Sequence, residues 1–370
     1  SGPNNPMITN SSDNGTTVTG LTIGVYVFRW KILNGNCPTT SEDFVTITNN
    51  PDANAGADQT GDATCGITSV TLDGNNPYPG TGQWTIESGT GGSLENDTLY
   101  NSSFSGTSGE TYTLLWSLTG ADGSTCTSSD SMTVTFNEEP AVNAVSNQEL
   151  CNTESTTAIN FSGSLSGSGD VDSIVYQWTN NDSSIGLAES GTGNIASFTA
   201  ENTSTVPVVA TIRVTPEFYN DTSGVVCYGE EESFTITVNP TPSVTSAATK
   251  TICDGDNVDY SITSDVAGTT YQWIGAVTSG TVTGVTTTTQ HTALINDVLD
   301  NTGTTQAVIE YTITPTGPAT TICEGDPFTF TVTVEPTPEV NATNNTAVIC
   351  DGGITDIALD NNSVSGSVAT

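Results

Sequence analysis

The sequence predicts an all-β chain of tandem two-sheet sandwiches. Three observations carry that prediction: a composition suited to strands and turns, an alternating strand that recurs before a proline, and regularly spaced cysteines. Thr, Ser, Asn and Gly dominate the 370 residues, while Val and Ile supply much of the apolar content. That mix favours strands and tight turns over helices. A chain of this length suits three or four domains of about 100 to 150 residues.

The recurring strand is read in "FVTITNNPDANAG" (44–56), "MTVTFNEEPAVNA" (132–144), "FTITVNPTPSV" (234–244) and "FTFTVTVEPTPEV" (328–340). Val45 and Ile47, Val134 and Phe136, Phe234 and Ile236, and Phe330 and Val332 stand at matched distances before Pro51, Pro140, Pro240 and Pro336. Such period-two alternation marks a half-buried strand. The prolines are 89, 100 and 96 residues apart, close to one immunoglobulin-sized sandwich. They divide the chain into a partial repeat over 1–50, three complete repeats over 51–139, 140–239 and 240–335, and a partial repeat over 336–370. The paired prolines of "NPTP" and "EPTP" favour short, extended connections and hence a semi-rigid rod.

The cysteines follow the same period. Cys65 and Cys126, Cys151 and Cys227, and Cys253 and Cys323 each fall within one repeat, 61, 76 and 70 residues apart. One crosslink per repeat is the expectation. It would join the first strand region to the entry of the last and be worth on the order of 4 kcal/mol by chain entropy. Cys37 and Cys350 then lack in-chain partners, as if the chain were cut from a longer polypeptide inside a repeat at each end. Paired cysteines place the protein in an oxidising compartment, and no CxxC pair suggests a metal thiolate instead.

Charge excludes whole classes of partner. Arg29, Lys31, Arg213 and Lys250 are the only basic side chains against 41 acidic ones, for a net charge of -37. Such a surface repels nucleic acid and anionic lipid. No apolar run approaches the roughly 18 to 20 residues of a membrane span, and no signal peptide opens the chain.

Within the repeats, "VYVFRWKILNGNC" (25–37) and "YTLLWSLTGADGSTC" (112–126) read as Trp-bearing strands leading through Asn-Gly or Asp-Gly turns to a cysteine. The later repeats carry "YQW" at 176–178 and 271–273, then "VATIRVTP" (209–216) and "VIEYTITP" (308–315). With "DANAGADQT", "GLTIGVYVFRW", "CEGDPFTFTVTVEPTP" and "NPTPSV", these words span nearly the whole chain. They resemble the PKD-like, immunoglobulin-like repeats of giant cell-surface adhesins in gliding bacteria that use type IX secretion, the SprB kind of gliding-motility adhesin. The resemblance implies an outer-membrane-associated surface filament or stalk, used for attachment or moved by a motility machine. It also implies O-glycosylation where Asp-Ser/Thr-apolar occurs, at Thr98, Ser131 and Ser173.

Chemistry is weighed against structure at each remaining candidate. Trp84, Trp178 and Trp273 occupy equivalent places and read as core tryptophans packed near a cystine, with a sugar-stacking ladder as the competing role. Trp30 and Trp116 read as core. His291, the sole histidine, has no nucleophile elbow near it, and no carboxylate pair stands out among 41 acids for glycoside hydrolysis. The sequence therefore argues against an enzyme.

One cation is weighed. A cystine between Cys253 and Cys323 would bring Asp254, Asp256 and Asp259 of "CDGDNVD" close to Glu324 and Asp326 of "CEGD", a carboxylate set suited to calcium. The EF-hand pattern fails there, because Asp259 and Asp265 stand where Gly and a bidentate Glu are needed. Solvated turn residues are the favoured reading of the same positions. No other cofactor is expected.

The sequence thus predicts an acidic, disulfide-linked stalk segment of a bacterial surface adhesin. Its partners would be neighbouring repeats of the same chain, with surface polysaccharide or the motility machinery beyond them. Carbohydrate-binding repeats and spacer domains of a large secreted hydrolase are the alternatives.

Overall fold

The computed structural model describes residues 1–33, 35, 40–121, 126–167, 173–221, 223–319, 322–345 and 348–361. Every described element is a strand or a short 3-10 turn, and the strands build tandem immunoglobulin-like sandwiches. No described helix is long and apolar enough to cross a membrane.

Three separate cores are present, each drawn from one stretch of chain. Trp84, Phe104, Tyr112, Leu114, Trp116 and Phe136 fill the first. Tyr176, Trp178, Ile212, Val214, Phe234 and Ile236 lie in the second, and Tyr260, Trp273, Ile309, Tyr311, Phe330 and Val332 in the third. Alternation decides which side chains enter. In Thr111–Thr119 the residues Tyr112, Leu114, Trp116 and Leu118 point inward, while the intervening ones are half-exposed.

One sheet of each sandwich is built alike. In the second core Val208–Asn220 is central, antiparallel to Val175–Asn180 on one side and to Glu232–Asn239 on the other. The short leading strand Gln148–Cys151 then joins Glu232–Asn239 in parallel. Repetition follows in the third core, where Thr249–Cys253 runs parallel to Phe328–Glu335. In the first core two parallel bridges, Gln59 with Val134 and Cys65 with Asn137, mark the same pairing.

This pairing fixes the true equivalence between repeats. Cys65, Cys151 and Cys253 face Asn137, Asn239 and Glu335 respectively. Met132, Phe234 and Phe330 are therefore counterparts, and Pro140 corresponds to Pro242 and Pro338. Counting from prolines matched Pro140 with Pro240 and Pro336, two residues out of register. A slip of two leaves a period-two pattern unchanged, so alternation alone could not detect it.

The expected alternation fails in one of the four strands. Val134, Phe136, Phe234, Ile236, Phe330 and Val332 are buried, but Val45 is exposed. Among the described residues of 1–49 the strands form two hairpins, Met7–Ile8 with Val18–Thr19 and Gly24–Leu33 with Thr40–Asn49, and most of the second is exposed. Tyr26 is buried there, its hydroxyl accepting from Thr22 N at 2.8 Å and donating to Asn4. Trp30, expected in a core, is 38% exposed on the same hairpin. At the other end Val340–Asn344 pairs with Ile357–Asn361.

Candidate functional site: the junctions between repeats

The cystines do not lie inside the repeats. Cys65 is bonded to Cys227, with Cα atoms 5.7 Å apart, and Cys151 to Cys323, with Cα atoms 5.6 Å apart. Each bond joins one repeat to the next, which replaces the expected pairs Cys65–Cys126, Cys151–Cys227 and Cys253–Cys323. Strand direction is the physical reason. Because the leading strand runs parallel to the last one, its terminal cysteine sits where the last strand ends, at the pole facing the following repeat. The second cysteine precedes the last strand and sits at the opposite pole. The eight residues of Glu232–Asn239 alone span roughly 25 Å, far beyond the roughly 7 Å that a cystine can bridge. Only the neighbouring repeat brings a cysteine near enough.

Polar contacts lock the same junction. Asn137 is buried opposite Cys65, and its Nδ2 donates to Thr64 Oγ1 at 2.9 Å and Gly61 O at 3.0 Å. Its Oδ1 accepts from Ser223 Oγ of the next repeat. Glu138 N donates to Asn220 Oδ1 at 3.0 Å, and Asn220 Nδ2 lies 3.4 Å from the bonded Cys227 Sγ. Ser166 closes the contact, its Oγ accepting from Glu139 N at 2.9 Å. Asn137 and Asn220 thus both have partners across or beside this junction, as burial of polar groups requires.

The glycine two residues after Cys227 and after Cys323 has a specific task. A Cβ on Gly229 would stand 1.7 Å from the carbonyl oxygen of Pro140, and one on Gly325 would stand 1.9 Å from that of Pro242. Their amides donate to Pro216 O at 3.0 Å and Pro315 O at 2.8 Å. The linker backbone therefore lies directly on the glycine. Gly255, in the look-alike "TICDGD", serves otherwise: its φ of +76° closes a turn. Replacing Gly325 with alanine is expected to push the linker away and destabilise this junction by about 1–3 kcal/mol, read as a lowered denaturation midpoint. The same change at the exposed Gly61, where nothing lies within 4 Å of an added Cβ, is the control.

The five carboxylates read as a calcium set are not brought together. Glu324 and Asp326 line a cleft of about 500 Å³ with Cys151, Glu154 and Pro242, at the pole facing the preceding repeat. Asp256 and Asp259 line another with Lys250, Cys253 and Glu335, at the far pole. Asp254 lies at that far pole too, accepting from Thr337 Oγ1 at 2.6 Å and Asn301 N at 2.7 Å. Those two hydrogen bonds, the Thr337 one foremost, hold its carboxyl below the usual carboxylate range. The shared calcium site presumed a Cys253–Cys323 bond, and the observed pairing removes the premise. Among the described residues no group of three or more His, Cys, Asp or Glu is placed to hold a metal.

The remaining candidates have definite places. Trp84, Trp178 and Trp273 are all buried, and the first and third donate from Nε1 to Leu99 O and Thr292 O, each at 3.1 Å. They belong to the cores, as expected of core tryptophans. Trp116 is fully buried against Trp84, with ring centroids 4.9 Å apart. His291 is exposed, as are Thr98, Ser131 and Ser173. Cys253 and Cys350 carry exposed free thiols. Cys126 directly precedes Thr127–Thr135, the place that Cys227 and Cys323 hold before their own last strands. Cys37 lies outside the described residues.

One buried network was not visible in the sequence. Asp297 is nearly inaccessible and accepts from Tyr311 Oη at 2.7 Å, Thr286 N at 2.8 Å and Thr286 Oγ1 at 2.6 Å. Burial, with Asp297 beside it, drives the Tyr311 hydroxyl far above the ordinary phenol range. The only sequence cue was an acid set between apolar residues in "ALINDVLD".

Residues 250–338 match the family model described as a PKD-like domain. No curated protein sequence matches the chain. Among solved structures, Drosophila N-cadherin EC1-4 is 15% identical, with 90% of this chain and 90% of that chain covered and a TM-score of 0.34. Mouse cadherin-23 EC22-24 is 14% identical over 76% of this chain and 93% of that chain, with a TM-score of 0.30. A three-immunoglobulin fragment of titin, in an E-to-A variant, is 10% identical over 78% of this chain and 99% of that chain, with a TM-score of 0.38. The strand order describes an array of immunoglobulin-like sandwiches, and one stretch of it, 250–338, matches a PKD-like domain.

Proposed function

We propose that this chain is a tension-carrying stalk segment of a large bacterial cell-surface adhesin, serving attachment or gliding. Its repeats are taken as 51–139, 140–239 and 240–335, flanked by partial repeats. The observation that carries the reading is that cystines run between successive repeats, which serves axial continuity and adds nothing to a catalytic cleft. The two bonds also favour an oxidising, extracellular setting. A surface of net charge -37 keeps neighbouring rods apart. The surface partners in this reading are polysaccharide or motility components, and Thr98, Ser131 and Ser173 are open to glycosylation. Direct sugar stacking is disfavoured because the three equivalent tryptophans are buried.

Small-angle scattering of the full chain tests the reading. The expected result is a rod whose longest dimension matches repeats placed end to end, with greater bending after reduction. A compact particle, or a profile indifferent to reduction, would count against a stalk.

A further inference from the structure

The two cystines interlock. Cys151 lies inside the segment closed by Cys65–Cys227, and Cys227 lies inside the segment closed by Cys151–Cys323. Joining these four positions leaves two covalent nodes connected by three segments of chain. They run from 65 to 151, from 151 to 227 and from 227 to 323, with 86, 76 and 96 residue steps.

We propose that this interlock is a redundant extension limiter, in which either cystine alone restrains the array almost as well as both together. The inference stands on the connectivity and does not depend on which adhesin, if any, contains the chain.

The argument is a count of contour length. Pulled from its ends, a chain without cystines spans the 258 steps from Cys65 to Cys323, about 900 Å at about 3.5 Å per residue. With both bonds intact, the shortest of the three segments limits that span to 76 steps, about 270 Å. The loops of 162 and 172 steps share the 76 steps from 151 to 227, so they do not add, and the interlocked pair hides 182. Losing the Cys65–Cys227 bond leaves 172 hidden, and losing Cys151–Cys323 leaves 162. Either loss releases at most 20 steps, roughly 70 Å. The hidden length is freed only when both bonds are gone.

The folded arrangement feeds tension into this device directly. From Cys227 the chain enters Glu232–Asn239 and leaves for the next repeat, and beside it in parallel Gln148–Cys151 ends at the second cystine. The two adjoining strands carry the force side by side along their length, and the other strands hang from them as closed segments.

Single-molecule pulling of the full chain, with its free thiols alkylated, tests the proposal. The variants are Cys65→Ala with Cys227→Ala, Cys151→Ala with Cys323→Ala, and all four together. Final contour lengths are compared before and after dithiothreitol, which leaves as its cyclic disulfide while each cystine becomes two thiols. Expected gains on reduction are about 640 Å for the parent, about 600 and 570 Å for the two single-cystine variants, and none for the fourfold variant. A gain near 720 Å in the parent, the length hidden by separate loops of 61, 76 and 70 steps within single repeats, or a single-cystine variant already extended by half the hidden length, would overturn the interlock. Peptide mapping of the unreduced protein is the second readout. It is expected to return Cys65 with Cys227 and Cys151 with Cys323, and a peptide joining Cys65 to Cys126 would refute the connectivity even if a variant failed to fold.

Discussion

Trp116→Ala is expected to destabilise the core formed by residues 53–136 by about 3–5 kcal/mol, the cost of emptying a large aromatic site. The side chain is fully buried and packs at a tilt against Trp84. Its Nε1 donates to the carbonyl and side-chain oxygens of Asn75, each at 3.2 Å. The backbone hugs it closely, since a Cβ on Gly82 would stand 2.3 Å from its ring, so little can collapse into the vacated space. Chemical denaturation followed by near-ultraviolet circular dichroism measures the loss. A change below 1 kcal/mol would mean that the ring is not a keystone of this core. The two cystine-coupled repeats that follow are expected to keep their own transition, because their cores share no residue with this one.

The second large effect belongs to Asp297. Asp297→Ala is expected to cost about 2–4 kcal/mol, because it strands the buried Tyr311 hydroxyl and the Thr286 amide together. Tyr311→Phe is milder, about 1–2 kcal/mol, since the carboxylate keeps both bonds from Thr286. The pH dependence has a definite sign. The Tyr311 pKa is raised in the folded state, so its contribution is fully present below the unfolded value of about 10 and falls as pH rises above it. Stability curves of the parent and Tyr311→Phe are therefore expected to converge above about pH 10. Parallel curves there would remove Tyr311 from the account. Ultraviolet titration offers a second check, with the folded parent and folded Tyr311→Phe expected to ionise the same number of phenols near pH 10.

The fold class was legible because burial leaves a local imprint. Tyr112, Leu114, Trp116 and Leu118 alternate with polar residues, and so do Phe234, Ile236 and Val238. Nothing comparable encodes which cysteine faces which. Cys65 and Cys126 look like partners because each recurs once per repeat, but pairing depends on whether the leading strand runs with or against the last one. That direction is set by topology, which the period of the pattern does not record. The same gap explains the proline count, where a shift of two residues left Val134 and Ile236 equally inward under either alignment. It also explains the calcium expectation, which borrowed its geometry from a bond that does not exist. "TICDGD" and "TICEGD" look like copies, yet Cys253 and Cys323 stand at opposite poles, one glycine closing a turn and the other lying beneath a linker carbonyl.

The direction of the cystines carries a last implication, for how such a protein can change over generations. Each bond runs from the leading strand of one repeat to the entry of the last strand in the next, so the rule refers only to nearest neighbours. Excising residues 140–239 as a block would bring Cys65 against Cys323 and leave no mismatched thiol between them. Duplicating a block would likewise supply one donor and one acceptor at each new seam. Gain or loss of whole repeats can therefore lengthen or shorten the array while every internal junction stays covalently closed.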